Sequence, residues 1–240
     1  MEQQQGAGFG AELARVLSAT TVAPPWWVLV TMVGLGVAAS VSTSVVRQAN
    51  LVGLIVHEGG HAALALLTGG RVEWIELSNT QAGETRSRND DGLPAVLFLF
   101  AGYAAPPLAG LGVAALIAAG KAPLVLALGV VVTLLVLLVS RDVLTVGLVL
   151  TLGAVLAALL WLTTPWVQVW VACAVMGLLQ THSAEGVVDL VLRRVNGAPG
   201  RDDADNLYIE TGISEYVWML LWTVLILWCW WETFWLVWPR

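Results

Sequence analysis

The sequence predicts an all-α polytopic membrane protein of about seven transmembrane helices, with a small cytoplasmic β-hairpin beside the second of them. Three observations carry this. Of the 240 residues, 58% are hydrophobic and only 12% charged, against roughly 25% charged in ordinary soluble domains, and the mean hydropathy is +0.80. Apolar stretches long enough to cross a bilayer, about 20 residues at 1.5 Å rise each, recur along the chain. The polar residues between them gather mainly in two long segments, 69–93 and 182–216.

In order, residues 1–22 read as a cytoplasmic N-terminal segment. This stretch carries Glu2, Glu12 and Arg15 and lacks a basic region followed by an apolar core and cleavage site, so a secretory signal peptide is not expected. Residues 23–240 form one membrane-embedded domain. Its spans are expected at 26–46, 51–68, 94–119, 123–140, 143–162, 165–181 and 217–238, with Arg141-Asp142 and Thr163-Thr164-Pro165 as punctuation in the middle. After the second span, Gly69-Gly70 stops the run and residues 72–77 partly alternate as a strand does; 84–88 give its partner across a turn at Gly83. Such a hairpin is either an ordinary surface feature or a sheet edge that holds a peptide extended by main-chain hydrogen bonds, with Gly83 and Thr85 as substrate-binding residues. In the third span, Pro106 and Pro107 remove two backbone donors and predict a kink or break. The second long segment is expected to be a loop that His182 opens by capping or leaving the sixth span.

Charge orients the bundle. With seven alternating spans, one side collects Arg15, Arg71, Arg86, Arg88, Arg141, Arg193, Arg194 and Arg201, and the other only Arg47, Lys121 and Arg240. The positive-inside rule then puts the N-terminus and both long segments in the cytoplasm and the C-terminus outside. The net charge of −6 is scattered and no basic patch suits a nucleic acid, so the lipid bilayer is the expected surroundings. Ten Arg against one Lys points to a high-GC bacterium. Cys173 and Cys229 lie in expected spans as small buried hydrophobes.

His57-Glu58-Gly59-Gly60-His61 lies inside the second span. Two histidines four apart share one helix face and can reach one Zn²⁺, and the glutamate between them can take a proton from the water that the metal activates. Random placement of three His and ten Glu gives roughly 0.0015 such motifs, so chance is rejected. Three ionisable groups within five residues of a membrane helix are also costly unless used. Gly59 and Gly60 permit either close helix packing or room for a substrate beside the metal. A catalytic zinc takes three protein ligands, and the third can come from Asp189, Asp202, Asp203 or Asp205 of the second long segment. The others are expected to be exposed acids of little consequence.

Together these residues resemble the site-2 protease type of intramembrane zinc metalloproteases, in its compact bacterial branch. The resemblance rests on the motif in a membrane helix, Gly83-Glu84-Thr85 in the hairpin, Ala101-Gly102-Tyr103 with Pro106, and Asp202-Asp203-Ala204-Asp205-Asn206-Leu207 before the final span. It implies a zinc endopeptidase acting on transmembrane protein substrates, often within regulated intramembrane proteolysis. His57 and His61 correspond to metal ligands, Glu58 to the general base, and Asp203, in an Asp-Ala-x-x-Leu stretch, to the third ligand. Better-known members carry that ligand in a Leu-Asp-Gly element, which this sequence lacks. No insert is long enough for a PDZ domain, so gating falls to the short loops or to a regulatory membrane partner. Two other readings use the same motif: a silent zinc-stabilised membrane scaffold, which only activity separates, and a transporter or proton pathway, which would want further intramembrane charges that the spans nearly lack.

Overall fold

The computed structural model describes residues 51–78, 82–197 and 201–238 continuously, and only scattered positions between 10 and 34 before them. Most of the expected N-terminal segment and of the 26–46 span lies outside the described residues, as do Arg15, Arg47 and Arg240. What is described is mostly helical with one small sheet. The elements are α1 (Leu51–Leu67), β1 (Arg71–Leu77), β2 (Gly83–Arg88), α2 (Leu93–Ala118), α3 (Ala122–Val139), α4 (Val143–Leu162), α5 (Pro165–Val195), α6 (Asp203–Thr211) and α7 (Glu215–Val237). Five of these, α2 to α5 and α7, are long and apolar enough to cross a membrane, and α1 is a shorter apolar helix of 17 residues. The chain is therefore a multi-pass membrane protein.

Of two expectations, a kink or break in the third span is narrowed and the end of the sixth is corrected. The third span does not break: α2 runs through Pro106 and Pro107 as one helix. The prolines still remove the amides that would have served the Gly102 and Tyr103 carbonyls, so the loosened turn falls where α2 meets α1. The helix of the sixth span does not end near His182. At 31 residues, α5 is about 46 Å long, against roughly 30 Å of hydrocarbon, so its last turns continue past the span. They stay helical because Ser183, Val187 and Leu190 keep one face buried, while Arg193 and Arg194 complement the dipole at the C-terminus.

The hairpin and α6 are each folded back onto the bundle. β1 and β2 pair antiparallel, with a bulge between Val72 and Trp74 and with Glu73 bound by Arg86 and Arg88. The outer edge of β1 is taken: Ile75 bridges Ser140, and the Leu77 N–H donates to Thr145 Oγ1 at 2.7 Å. Ile75 and Leu77 join Leu54, Ile55, Val136 and Val149 in one apolar cluster, which fixes the sheet against α1, α3 and α4. On the other side, Ala204 and Leu207 of α6 pack with Val187, Leu190, Met219 and Trp222. Helices α1 and α2 lie close at Gly60, where a Cβ would stand 2.5 Å from the Ala105 Cβ and 2.9 Å from the Ala101 carbonyl oxygen. Gly60 thus serves helix packing, and Gly59 has open space beside it.

Candidate metal centre

His57 and His61 leave α1 one turn apart, and their Nε2 atoms end 3.2 Å from each other. Asp203, the first residue of α6, brings Oδ2 to 3.2 Å from His61 Nε2 and 3.6 Å from His57 Nε2. These three side chains are the one group of this kind among the described residues whose ligand atoms could hold a metal ion. The spacing suits zinc: ligand atoms 2.0–2.2 Å from a tetrahedral ion stand about 3.3–3.6 Å apart. Nitrogen, nitrogen and carboxylate oxygen are also donors that zinc accepts.

The environment orients the set. His61 Nδ1 lies 2.7 Å from the Phe98 carbonyl oxygen, to which it donates as a protonated Nδ1, leaving the lone pair on Nε2 for a metal. The Phe98 and Tyr103 rings cover His61 and His57 at 4.8 and 4.9 Å. Tyr103 in turn rests on the fully buried Trp222 at 4.5 Å, whose indole N–H donates to the Phe100 carbonyl. Between these rings Gly102 leaves the two Nε2 atoms their space, since a Cβ there would come within 2.6 Å of His57 Nε2.

Glu58 is buried, with 3% of its surface exposed. The Thr85 hydroxyl of β2 lies 2.7 Å from its Oε2, to which it donates, and 3.1 Å from its carbonyl oxygen. Gly83 stands so close that a Cβ would be 2.9 Å from Glu58 Oε1. The hairpin residues singled out in the sequence therefore lie against the glutamate.

Of the four candidate aspartates, the structure brings only Asp203 to the histidines. Asp189 is exposed and pairs with Arg193 at 3.7 Å. Asp202 and Asp205 are not the loose acids expected of a loop: Asp202 caps α6, and Arg194 holds it with two bonds of 3.0 Å while reaching Asp205 at 2.9 Å. At the other end of α6, Glu210 Oε1 accepts the Gly92 N–H at 2.7 Å. Burial pushes the Asp203 carboxyl up, and the facing His61 and His57 imidazoles more than offset it, holding the group below the usual carboxylate range. Sequence reasoning missed the Phe98 carbonyl, the Arg194 clamp and the grip of Thr85 on Glu58. Arg194 had a visible signal, the Arg193-Arg194 pair ahead of an aspartate cluster; a backbone carbonyl has none.

No curated protein and no solved structure matches the chain. A family model described as Peptidase M50B-like matches residues 26–233, which take in the motif helix, the hairpin and Asp203. With that match over most of its length, the chain belongs to the Peptidase M50B-like proteins, the site-2 protease family.

Proposed function

We propose that this protein is an intramembrane zinc metalloendopeptidase that hydrolyses peptide bonds of transmembrane protein substrates within or near the bilayer. The convergence of His57 Nε2, His61 Nε2 and Asp203 Oδ2 at 3.2 to 3.6 Å beside a buried, hydrogen-bonded Glu58 carries this reading. His57, His61 and Asp203 hold the metal. Zinc bound there supplies Lewis acidity, polarising a carbonyl and bringing the pKa of water towards about 7.

Glu58 is the general base. Thr85 already donates to Oε2, which leaves Oε1 to take the proton from the attacking water and pass it to the leaving amine. Among the described residues β2 pairs only with β1, and a cleft of about 300 Å³ runs along it, lined by Glu84 to Ser87 of the strand and by Ala95, Phe98 and Leu99 of α2. An unwound substrate segment laid along β2 would pass Phe98, which touches His61. That placement gives an extended peptide access to the site, as hydrolysis of a membrane helix requires.

In this reading the 26–46 segment and α1 complete seven spans with the five long helices. The N-terminus and the hairpin are cytoplasmic and the C-terminus is outside, in a bacterial cell membrane. The test is zinc content of the detergent-purified protein beside its Glu58→Gln variant, with membrane-protein fragments compared in cells that express each. Zinc in both and loss of cleavage products only in the variant are expected. Wild-type proteolysis by Glu58→Gln, or activity that survives thorough zinc removal, would sink the reading.

A further inference from the structure

The chain has only three histidines, and all three meet at this site. His182, on α5, has no part in the chemistry above. Its ring faces that of His57 edge-on, with centroids 6.3 Å apart and planes at 77°. Its Nδ1 is buried and has no hydrogen-bond partner. The ring is seated over Gly53, one turn before His57 on α1, where a Cβ would come within 2.7 Å of that same Nδ1. A buried polar nitrogen that has lost water and gained no partner is rare in native proteins and asks for an explanation.

The two imidazole ligands suggest one. A metal-bound histidine nearly always donates its second ring N–H to an acceptor, which fixes its tautomer and its orientation. His61 has the Phe98 carbonyl for this purpose. His57 needs the same, and of the groups packed against it, His61 and Asp203 face its Nε2 and Tyr103 covers its ring. His182 is the neighbour with an unused acceptor nitrogen.

We propose that His182 is the positioning residue for His57. Its imidazole takes the His57 Nδ1–H through one bridging water, the two rings being too far apart for a direct bond, and so keeps the lone pair of His57 on the Nε2 that faces His61 and Asp203. Gly53 has no side chain because His182 occupies that space. The inference rests on the reading of His57 as a ligand, so the test reads metal affinity before activity.

Zinc affinity of the full-length protein in detergent, by competition with a chelator, should fall about 10- to 100-fold in His182→Leu. It should stay within a few-fold of wild type in His182→Gln, whose amide oxygen still accepts. The visible spectrum of the cobalt-substituted protein should change in His182→Leu and recover in His182→Gln. Should His182→Leu fail to fold, Gly53→Ala displaces the ring from its seat and is expected to weaken zinc binding likewise. Equal loss in the Leu and Gln variants would reduce His182 to packing and overturn the inference, as would wild-type affinity with an unchanged cobalt spectrum in His182→Leu or Gly53→Ala. A wild-type protein that binds no zinc would overturn the site reading and this inference together; zinc bound equally by wild type and variants would overturn this inference alone.

Discussion

The two regions that build this site are held in different ways. His57, Glu58 and His61 share one helix, so their relative positions follow from helical geometry and survive most changes elsewhere. Asp203 starts a helix of nine residues whose first turn is locked by Arg194, Asp202 and Asp205, whose last turn Glu210 ties to the start of α2, and whose Ala204 and Leu207 pack against α5 and α7. One half is fixed by the geometry of a single helix and the other by tertiary contacts far along the chain. Substitutions that touch neither metal nor substrate should therefore displace Asp203 more readily than they change the spacing of His57, Glu58 and His61 along their helix.

The largest effect is expected from the three proposed ligands. His57→Ala, His61→Ala and Asp203→Ala should each lose zinc and cleavage together, measured as metal content of purified protein and as product in cells, because a three-ligand site with one ligand missing binds weakly. Asp189→Ala is the control, since its carboxylate is exposed and bound to Arg193. Loss of zinc in Asp189→Ala with full occupancy in Asp203→Ala would invert the assignment.

Next in size, and the sharpest test of the comparison, is Arg194→Met. The guanidinium grips Asp202 with both nitrogens and Asp205 with one. Its removal leaves two partly buried carboxylates facing each other beside the cap that starts α6. Zinc affinity should drop about 10- to 100-fold, as for the loss of a supporting residue, although Arg194 itself is no ligand. Arg194→Lys should restore only part of it, because an ammonium cannot make the forked contact. Unchanged zinc affinity in Arg194→Met would mean that packing of Ala204 and Leu207 alone places Asp203.

This division also decides what could be read from the sequence. The motif on α1 was legible because both histidines and the glutamate lie within five residues, and the apolar stretches gave the five long helices because burial in lipid leaves a composition signal that needs no tertiary contact. Arg141-Asp142 marked the break before α4, where the structure shows Asp142 capping the helix, and Gly83 the turn into β2. The extension of α5 past His182 was missed because its polar residues read as loop; what keeps it helical is burial of Val187 and Leu190 against α6 and α7, a tertiary fact. Asp203 could be chosen among four aspartates only through a resemblance, since nothing in its neighbours' identity says which of them folds back. The sequence offers Thr85 as a substrate contact, and the hydrogen bond of its hydroxyl to Glu58 is visible only in the structure.

The smallest effect is expected there, at the join between the hairpin and the motif helix. In Thr85→Val the shape is kept and the hydroxyl is lost, so Glu58 Oε2 loses its 2.7 Å partner while the three metal-facing atoms are untouched. Zinc occupancy should remain at the wild-type level. Turnover should fall about tenfold, the scale of a single hydrogen bond to a charged group, because a carboxylate that is free to rotate is less often aligned to accept a proton. Thr85→Ser keeps the hydroxyl and should recover most of that loss. A Thr85→Val protein with full turnover would show that burial alone aligns Glu58, and a Thr85→Val protein without zinc would show that the hairpin supports the metal half of the site as well. Both outcomes are read from the same pair of measurements, metal content and cleavage rate on one preparation. The expected result, metal kept and rate reduced, would extend the contrast to α1 itself: its histidines hold their place without the sheet, and its glutamate needs it.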